Sequence, residues 1–351
     1  MEKVFNSITK EIEDSISFDS SDMVDFSHLG YTSVPFSKDN FHPIPLLTKS
    51  PCGPKVCFID GGNAELFSSS SLSLSFIRVL HTVYQDNRRV SLHKDEFFCL
   101  VIAKEKDGRL IFEAKLFPSV SGPSSLLTDS FFESYFRFDP DDRSLTPRAS
   151  RLSISSVPGF IRRLAELSTA LLLTKDLKAG DSVVIDGSFE SRLDDEAKLI
   201  DTLGALSKEN RVSVAGLSKT SQLLTSDGSS PALLLAKHAP PGSWYYYPVA
   251  DTPFDLYFVK LHPQSDYIFR LDLLTSKDAS SLLSSLAHNS TDPVFLGYPY
   301  GLIEADRFAR VSNHEKEFLR TNFFTRAGAS SGTLRLLQRS LDAHSVLDNI
   351  S

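Results

Sequence analysis

Two acidic residues stand where apolar strands are predicted to end, and each is followed by glycine. Asp60 follows the β-forming run VCFI and precedes Gly61 and Gly62, while Asp186 follows VVI and precedes Gly187. A carboxylate at the end of a buried strand is costly to remove from water unless its charge is compensated. A bound metal ion is one candidate for that compensation, and an aspartate that caps an Asp-Gly turn is the alternative.

Two further acidic residues follow in an order that fits a metal centre. Glu166 lies in the helical pattern RRLAELSTAL, and Asp306 lies in a late helical segment. Mg²⁺ and Mn²⁺ prefer oxygen ligands, and two such ions can activate water and stabilise the leaving oxygen of a phosphodiester. A ribonuclease H-like fold supplies its metal-binding carboxylates in the same order of elements, namely strand, hairpin, helix, strand and late helix. Asp60 would bridge two ions, with Glu166 and Asp186 on one of them and Asp306 on the other.

The two later acids also have simpler interpretations. Glu166 could pair with Arg162 at the i, i+4 spacing of a helix surface, and Asp306 could be a polar residue beside Arg310. Glu113, in the strand pattern IFEAKL, is a rival for the glutamate ligand. A helical glutamate shortly before the second Asp-Gly fits the order better, so Glu166 is preferred.

Basic residues near these acids are candidate DNA contacts. Lys219 follows the predicted strand RVSVAGLS, where an ammonium could stabilise charge on a phosphate; a solvated lysine after a strand is the alternative. Arg307 and Arg310 flank Asp306 and could bind the phosphate backbone without sequence preference. The net charge of −7 gives no global basic bias, so local patches must supply any affinity for DNA.

The elements that position these residues alternate between strands and helices. Lys106-Asp107-Gly108 predicts a hairpin turn between two strands, and Gly61-Gly62 predicts a sharp turn beside Asp60. Residues 157–177 predict a core-facing helix, and the segment from VFLG (294–297) onward predicts a strand, a turn and one long helix. This alternation predicts a mixed α/β sheet flanked by helices.

Composition restricts the class of protein further. The chain of 351 residues has no apolar run of membrane-spanning length and an acidic, amphipathic N-terminus, which predicts a cytoplasmic protein. Cys52, Cys57 and Cys99 form no CxxC pair, so buried free thiols are expected rather than disulfides or structural zinc. Residues 1–50 are predicted to be an arm that docks on a partner, and residues 51–351 the catalytic domain.

Five motifs in order resemble the NurA nuclease family. They are IDGG (59–62), RRLAELSTAL (162–171), VVIDGS (183–188), AGLSKTS (215–221) and GYPYGLIEADRFARVS (297–312). The resemblance implies a ribonuclease H-like core with single-strand endonuclease and 5′→3′ exonuclease activity on DNA, dependent on manganese or magnesium. It also implies a role in DNA end resection for double-strand break repair, a homodimer, a nucleoid-associated location and a hexameric translocase partner, HerA.

Family roles carry over to individual positions of this sequence. The resemblance implies that Asp60, Glu166 and Asp186 ligate metal and that Tyr298 is the motif tyrosine near the scissile phosphate. Eight positions after that tyrosine some relatives carry histidine, whereas this chain carries Asp306. The departure keeps the type of a metal ligand.

Three alternatives bear on function. Sugar kinases and actin-like ATPases also place Asp-Gly turns after strands, but their phosphate loops need a DGGTT-like run, and here Asn63 and Ala64 follow the glycines. A nuclease-like scaffold that only docks on a translocase would be favoured if the carboxylates failed to converge. The aromatic run 244–247 could stack unpaired bases, although a place in the core or in a dimer interface is preferred.

Overall fold

The computed structural model describes residues 1–15, 31–45, 53–119, 125–145, 151–219, 223–225, 230–274, 279–328 and 332. Its strands are β1 (Thr32–Ser33), β2 (Phe41–Pro43), β3 (Lys55–Ser68), β4 (Leu72–Gln85), β5 (Arg88–Lys106), β6 (Arg109–Pro118), β7 (Phe136–Phe138), β8 (Ser182–Asp186), β9 (Ser213–Ser218), β10 (Trp244–Tyr246), β11 (Ala250–Asp251), β12 (Asp255–Lys260) and β13 (Phe269–Leu273). Its α-helices are α1 (Glu2–Ser15), α2 (Asp129–Phe132), α3 (Val157–Asp176), α4 (Asp194–Asn210), α5 (Pro231–His238), α6 (Ser280–Asn289), α7 (Tyr300–Ala309) and α8 (Asn313–Gly328).

One large mixed sheet organises the molecule. Its eleven described strands follow the order β2-β10-β12-β13-β9-β8-β3-β4-β5-β6-β7. Strands β3, β4 and β5 form an antiparallel meander, and β8 and β9 run parallel to β3 on its other side. In chain order these five strands are arranged 3-2-1-4-5, the ribonuclease H-like order, so the predicted fold class is confirmed.

Strand alternation divides the core into two layers. In β3, Cys57 and Ile59 pack in one cluster with Ile161 and Leu164 of α3. Phe58, between them, faces the opposite layer. Successive side chains of a strand point to opposite faces, so a fully apolar run such as VCFI is what a strand covered on both sides requires.

Helix α7 covers the second layer. Its Leu302 packs in the cluster that contains Phe58. A Cβ at Gly301 would lie 2.0 Å from Cδ2 of Phe58, so glycine is needed for the helix to approach the sheet this closely. This approach brings the side chains of α7 close to Asp60, near the middle of β3.

The prediction of a sharp turn at Gly61-Gly62 was wrong. Gly61 and Gly62 form no turn, because β3 continues through them to Ser68. They allow close approach instead: a Cβ at Gly61 would lie 2.5 Å from Oε1 of Glu166, and one at Gly62 would lie 2.2 Å from the carbonyl oxygen of Ala309. The sharp turn occurs at the other motif, where Gly187 has φ +111°.

The prediction of a strand and one long helix after residue 293 was also wrong. Residues 294–297 form turns that depend on Gly297 at φ +94°. The helical segment is divided because α7 ends at Ala309 and Arg310 takes an extended backbone, φ −58° and ψ 133°. The hairpin at Asp107-Gly108 is confirmed.

The remaining predictions concern the arm, the cysteines and the membrane. Strand β2 pairs with β10 at one edge of the main sheet, while the proposed arm boundary at residue 50 stays a prediction. Cys57 and Cys99 are buried free thiols as expected, and Cys52 lies outside the described residues. Within the described ranges, no helix is long and apolar enough to cross a membrane.

Candidate metal centre

Three carboxylates from three separate elements meet beside the carboxyl end of β8. The register pairs Ile59 with Ile185, so Asp60 and Asp186 are the next residues along two adjacent parallel strands. Alternation turns both side chains toward α7, which supplies Asp306. One ligand oxygen from each of the three lies within 4.8 Å of the others. An isolated Asp-Gly turn would not require this convergence.

Asp60 is the most buried member of this acidic cluster. Its Oδ1 accepts a hydrogen bond from the Gly61 backbone N–H at 2.7 Å. Burial raises its pKa to about 8, the charges of Asp186 and Glu166 add to that rise, and Lys219 and the Gly61 N–H oppose it. A carboxylate held near its protonated form by burial and by other acids is one that a divalent cation would stabilise as the anion.

Lys219 lies among the acids and is not a freely solvated side chain. Its Nζ is 2.7 Å from Oδ2 of Asp186 and 3.2 Å from Oδ1 of Asp306. Burial works against its charge, but the carboxylates of Asp186, Asp60 and Asp306 raise the pKa of Lys219 overall. The cluster therefore already holds one cation, which fits a donor set that favours positive charge.

Glu166 lines the same cleft from the opposite layer of the sheet. It is only 3% exposed, and its carboxylate lies against Gly61. Nε of Arg162 is 3.4 Å from Oε1 and Nη1 of Arg163 is 3.5 Å from Oε2. The pair with Arg162 therefore exists, but its glutamate is buried and does not lie on the helix surface. Burial raises the pKa of Glu166, and the two arginines counteract that rise.

Glu113 lies elsewhere and does not reach the acidic cluster. It is on β6, three strands from β3, or about 14 Å at the usual strand spacing. Lys104 binds its Oε2 at 2.6 Å, and Tyr135 donates a hydrogen bond to Oε1. These contacts hold the pKa of Glu113 at about 2, as expected for a structural ion pair.

Tyr298 precedes α7 and is buried beside the acidic cluster. Its hydroxyl oxygen is enclosed and makes no well-formed hydrogen bond within the structure described. Burial, together with the carboxylates of Asp186, Asp60 and Asp306, raises the pKa of Tyr298 far above its usual value. Nζ of Lys219 lies 5.8 Å from the ring centroid. The hydroxyl is thus a protonated donor that faces the carboxylate of Asp186, and this contact also raises the pKa.

A cleft of about 690 Å³ opens over Asp60, Glu166, Asp186 and Asp306. Arginines that the sequence reasoning did not assign to the site also line it, namely Arg163 and Arg192. Consecutive arginines one turn before the helical glutamate were the available sequence signal. The surrounding guanidinium groups give the acidic floor of the cleft a basic wall.

The other predicted DNA contacts differ in position. Arg310 is exposed, and its Nη2 lies 3.0 Å from Oδ2 of Asp306. Arg307 is also exposed, with its guanidinium 5.8 Å from the Phe308 ring centroid.

The aromatic run 244–247 agrees with the preferred interpretation of a place in the core, because Trp244 and Tyr246 are fully buried there.

Known proteins provide an independent comparison. The family model described as NurA domain matches residues 54–311. The crystal structure of the NurA nuclease from Sulfolobus solfataricus is similar in fold, with a TM-score of 0.52 at 13% identity over 94% of this chain and 95% of that chain. The catalytic domain of human endonuclease V is more distant, with a TM-score of 0.35 at 10% identity over 79% of this chain and 85% of that one. No curated protein shows a significant match.

Proposed function

The chain belongs to the NurA domain family, and from that premise we propose that it is a nuclease that hydrolyses DNA with divalent metal ions. The observation that carries the proposal is the convergence of Asp60, Asp186 and Asp306 within 4.8 Å of one another. Asp60 is buried among them, and the desolvation cost of its charge is one that a cation would offset. A scaffold without catalysis would have no need for this arrangement.

The donor set fits a hard divalent cation. Asp60, Asp186 and Asp306 offer only oxygen atoms, the ligand type that magnesium and manganese prefer. Glu166 faces the same cleft and would complete the set if Arg162 and Arg163 released it. When bound, such a cation polarises the phosphodiester and makes water a stronger nucleophile.

Lys219 and Tyr298, which lie beside the carboxylates, would contact the phosphate. An ammonium within 3.2 Å of Asp186 and Asp306 is positioned to move to a phosphate oxygen when metal neutralises those acids. The Tyr298 hydroxyl is protonated and faces Asp186, so it would donate a hydrogen bond to an oxygen of the scissile group once a metal occupies that carboxylate. Neither role depends on base sequence.

The cleft supports a substrate bound through its backbone. Arg163 and Arg192 line it, and Arg307 and Arg310 lie exposed around its acidic end. Contacts to phosphates neutralise charge without reading bases. From the family alone we propose single-strand endonuclease and 5′→3′ exonuclease activity at DNA ends, as a step in resection during double-strand break repair.

The proposed assembly is a homodimer that docks on a HerA-type translocase. Helix α1 supports a docking role, because its apolar face is about half exposed along its length at Val4, Phe5, Ile8 and Ile12. An acidic protein has weak intrinsic affinity for DNA, and a motor would deliver the strand. Unchanged HerA binding after deletion of residues 1–15 would remove the docking role.

The test is digestion of end-labelled single-stranded DNA with Mn²⁺, with Mg²⁺ and with EDTA. We expect cleavage by wild type only with metal, and none by Asp60→Asn. Asp201→Asn, an exposed aspartate on α4, is the matched control and should cleave as wild type does. If wild type is inert with and without an added translocase, or if Asp60→Asn cleaves normally, the nuclease proposal fails.

A further inference from the structure

An exposed pair of aromatic rings lies beside the proposed active site. Tyr267 and Phe295 are stacked, with ring centroids 5.0 Å apart and an interplanar angle of 27°. Their side chains remain 55% and 39% exposed, although large aromatic rings are usually buried where they can be. Val294 beside Phe295 is 71% exposed. This aromatic platform is an apolar surface on an otherwise acidic protein.

Strand order places the platform at the edge of the sheet that carries the acids. Tyr267 lies two residues before β13, whose Arg270 pairs with Ser218, the residue before Lys219. Strand β9 lies between β13 and β8, which ends at Asp186. Two strand spacings amount to about 10 Å. The platform therefore begins roughly that far from the acidic cluster, measured across the sheet.

Ring contacts connect the platform to Tyr298. The Phe295 and Tyr298 centroids are 6.0 Å apart with the rings nearly perpendicular, and Phe269 contacts Tyr298 at 5.0 Å. Tyr267 in turn stacks with Phe269 at 6.3 Å. Neighbouring ring centroids between the platform and Tyr298 are 5 to 6 Å apart. A stacked DNA strand advances about 3.4 Å per nucleotide, so the platform lies a few nucleotides from Tyr298.

The loops that carry the two rings are fixed against each other. The Tyr267 backbone N–H donates to Oγ of Ser265 at 3.2 Å. Gly297 sits directly on Ser265, since a Cβ there would lie 2.3 Å from that oxygen. Both rings are therefore supported before any ligand arrives, which lowers the entropy cost of binding.

We propose that Tyr267 and Phe295 stack an unpaired base of the DNA strand whose phosphate occupies the acidic cluster. The proposal rests on the nuclease function and deepens it, because it gives a reason for preferring single strands. Every base offers an aromatic face, whereas bases inside a duplex are already stacked and cannot reach the platform. Trp244 and Tyr246 of the aromatic run are fully buried and cannot serve this purpose.

The test measures DNA binding in the non-cleaving Asp60→Asn background by fluorescence anisotropy with Mg²⁺. Tyr267→Ala should weaken binding of a single-stranded oligonucleotide about 5- to 150-fold, the range for loss of one base stack. Tyr267→Trp should retain affinity, and blunt duplex affinity should not change. Phe117→Ala removes an equally exposed ring from β6 and serves as the matched control. Tyr267 is the better target than Phe295, which contacts Tyr298.

An abasic scan sharpens the test. Single abasic sites are introduced along the oligonucleotide, and at one position the losses from the abasic site and from Tyr267→Ala should not add, because each removes the same stack. Additive losses at every position would overturn the proposal. So would unchanged single-strand affinity, equal loss on single strands and duplex, or absence of single-strand binding in the parent.

These outcomes separate the platform from the nuclease function. Wild type that binds single strands through Tyr267 but never cleaves would refute catalysis and leave the platform standing. If wild type cleaves DNA, and Tyr267→Ala binds and cleaves it as well as wild type does, only the platform would be refuted.

Discussion

Asp60→Asn should stabilise the metal-free protein while it abolishes cleavage. The substitution removes a charge from a buried site and leaves the residue nearly the same size. Its amide oxygen can still accept the hydrogen bond from the Gly61 N–H, as Oδ1 of Asp60 does at 2.7 Å. The effect on stability then reports mainly the cost of the carboxylate charge.

The magnitude follows from the pKa. Burial and the neighbouring acids raise the pKa of Asp60 from 3.8 to about 8 in the folded protein. Below pH 3.8 both folded and unfolded chains hold the proton, and stability from this group is fully present. As pH rises toward 8 the folded chain keeps the proton that the unfolded chain has lost, so stability falls, and above 8 the contribution is gone. At about 1.4 kcal/mol per pKa unit the total is about 6 kcal/mol, shared with coupled groups.

Urea unfolding of EDTA-treated proteins across pH 4 to 9 measures this directly. Wild type should lose stability as pH rises, and Asp60→Asn should be similar at pH 4 and more stable by several kcal/mol at pH 9. Mn²⁺ should stabilise wild type strongly at high pH and Asp60→Asn much less, because binding stabilises only the state that holds the ion. The reasoning would be refuted if Asp60→Asn were less stable than wild type at high pH. It would also be refuted if the stability of Asp60→Asn depended on pH in the same way as that of the exposed Asp201→Asn control.

Four further substitutions test other parts of the site. Tyr298→Phe should reduce cleavage by about 100-fold. It should lower stability by no more than about 1–2 kcal/mol in thermal melts, since it keeps the buried ring and loses only the contact of the hydroxyl with Asp186; a larger loss would contradict this. Lys219→Ala should lower the cleavage rate at saturating metal by about 100-fold, and an unchanged rate would exclude a role at the phosphate. Glu113→Gln should cleave like wild type in the same gel assay. Gly62→Ala should lower the free energy of unfolding by about 1–3 kcal/mol because its Cβ would meet the rigid Ala309 carbonyl at 2.2 Å, whereas Gly159→Ala, with open space around its Cβ, should not.

Local patterns predicted most of the elements correctly. The helix around Glu166, the hairpin at Asp107-Gly108 and the strand that ends at Asp186 all follow from side-chain periodicity and turn chemistry. One prediction failed because a glycine pair has two possible uses. Gly61-Gly62 suggested a turn, but both residues stay in β3. Glycine is needed there because α3 and α7 approach the backbone closely.

By itself the sequence determined which acids could bind metal and in what order along the chain they occur, because residue type and periodicity are local properties. Only the tertiary structure decided which of them meet. The register of Ile59 with Ile185 and the position of α7 bring Asp60, Asp186 and Asp306 together, place Glu166 on the opposite layer, and leave Glu113 on β6. Contacts between residues far apart in sequence depend on strand register and helix packing, which no short segment of the chain contains.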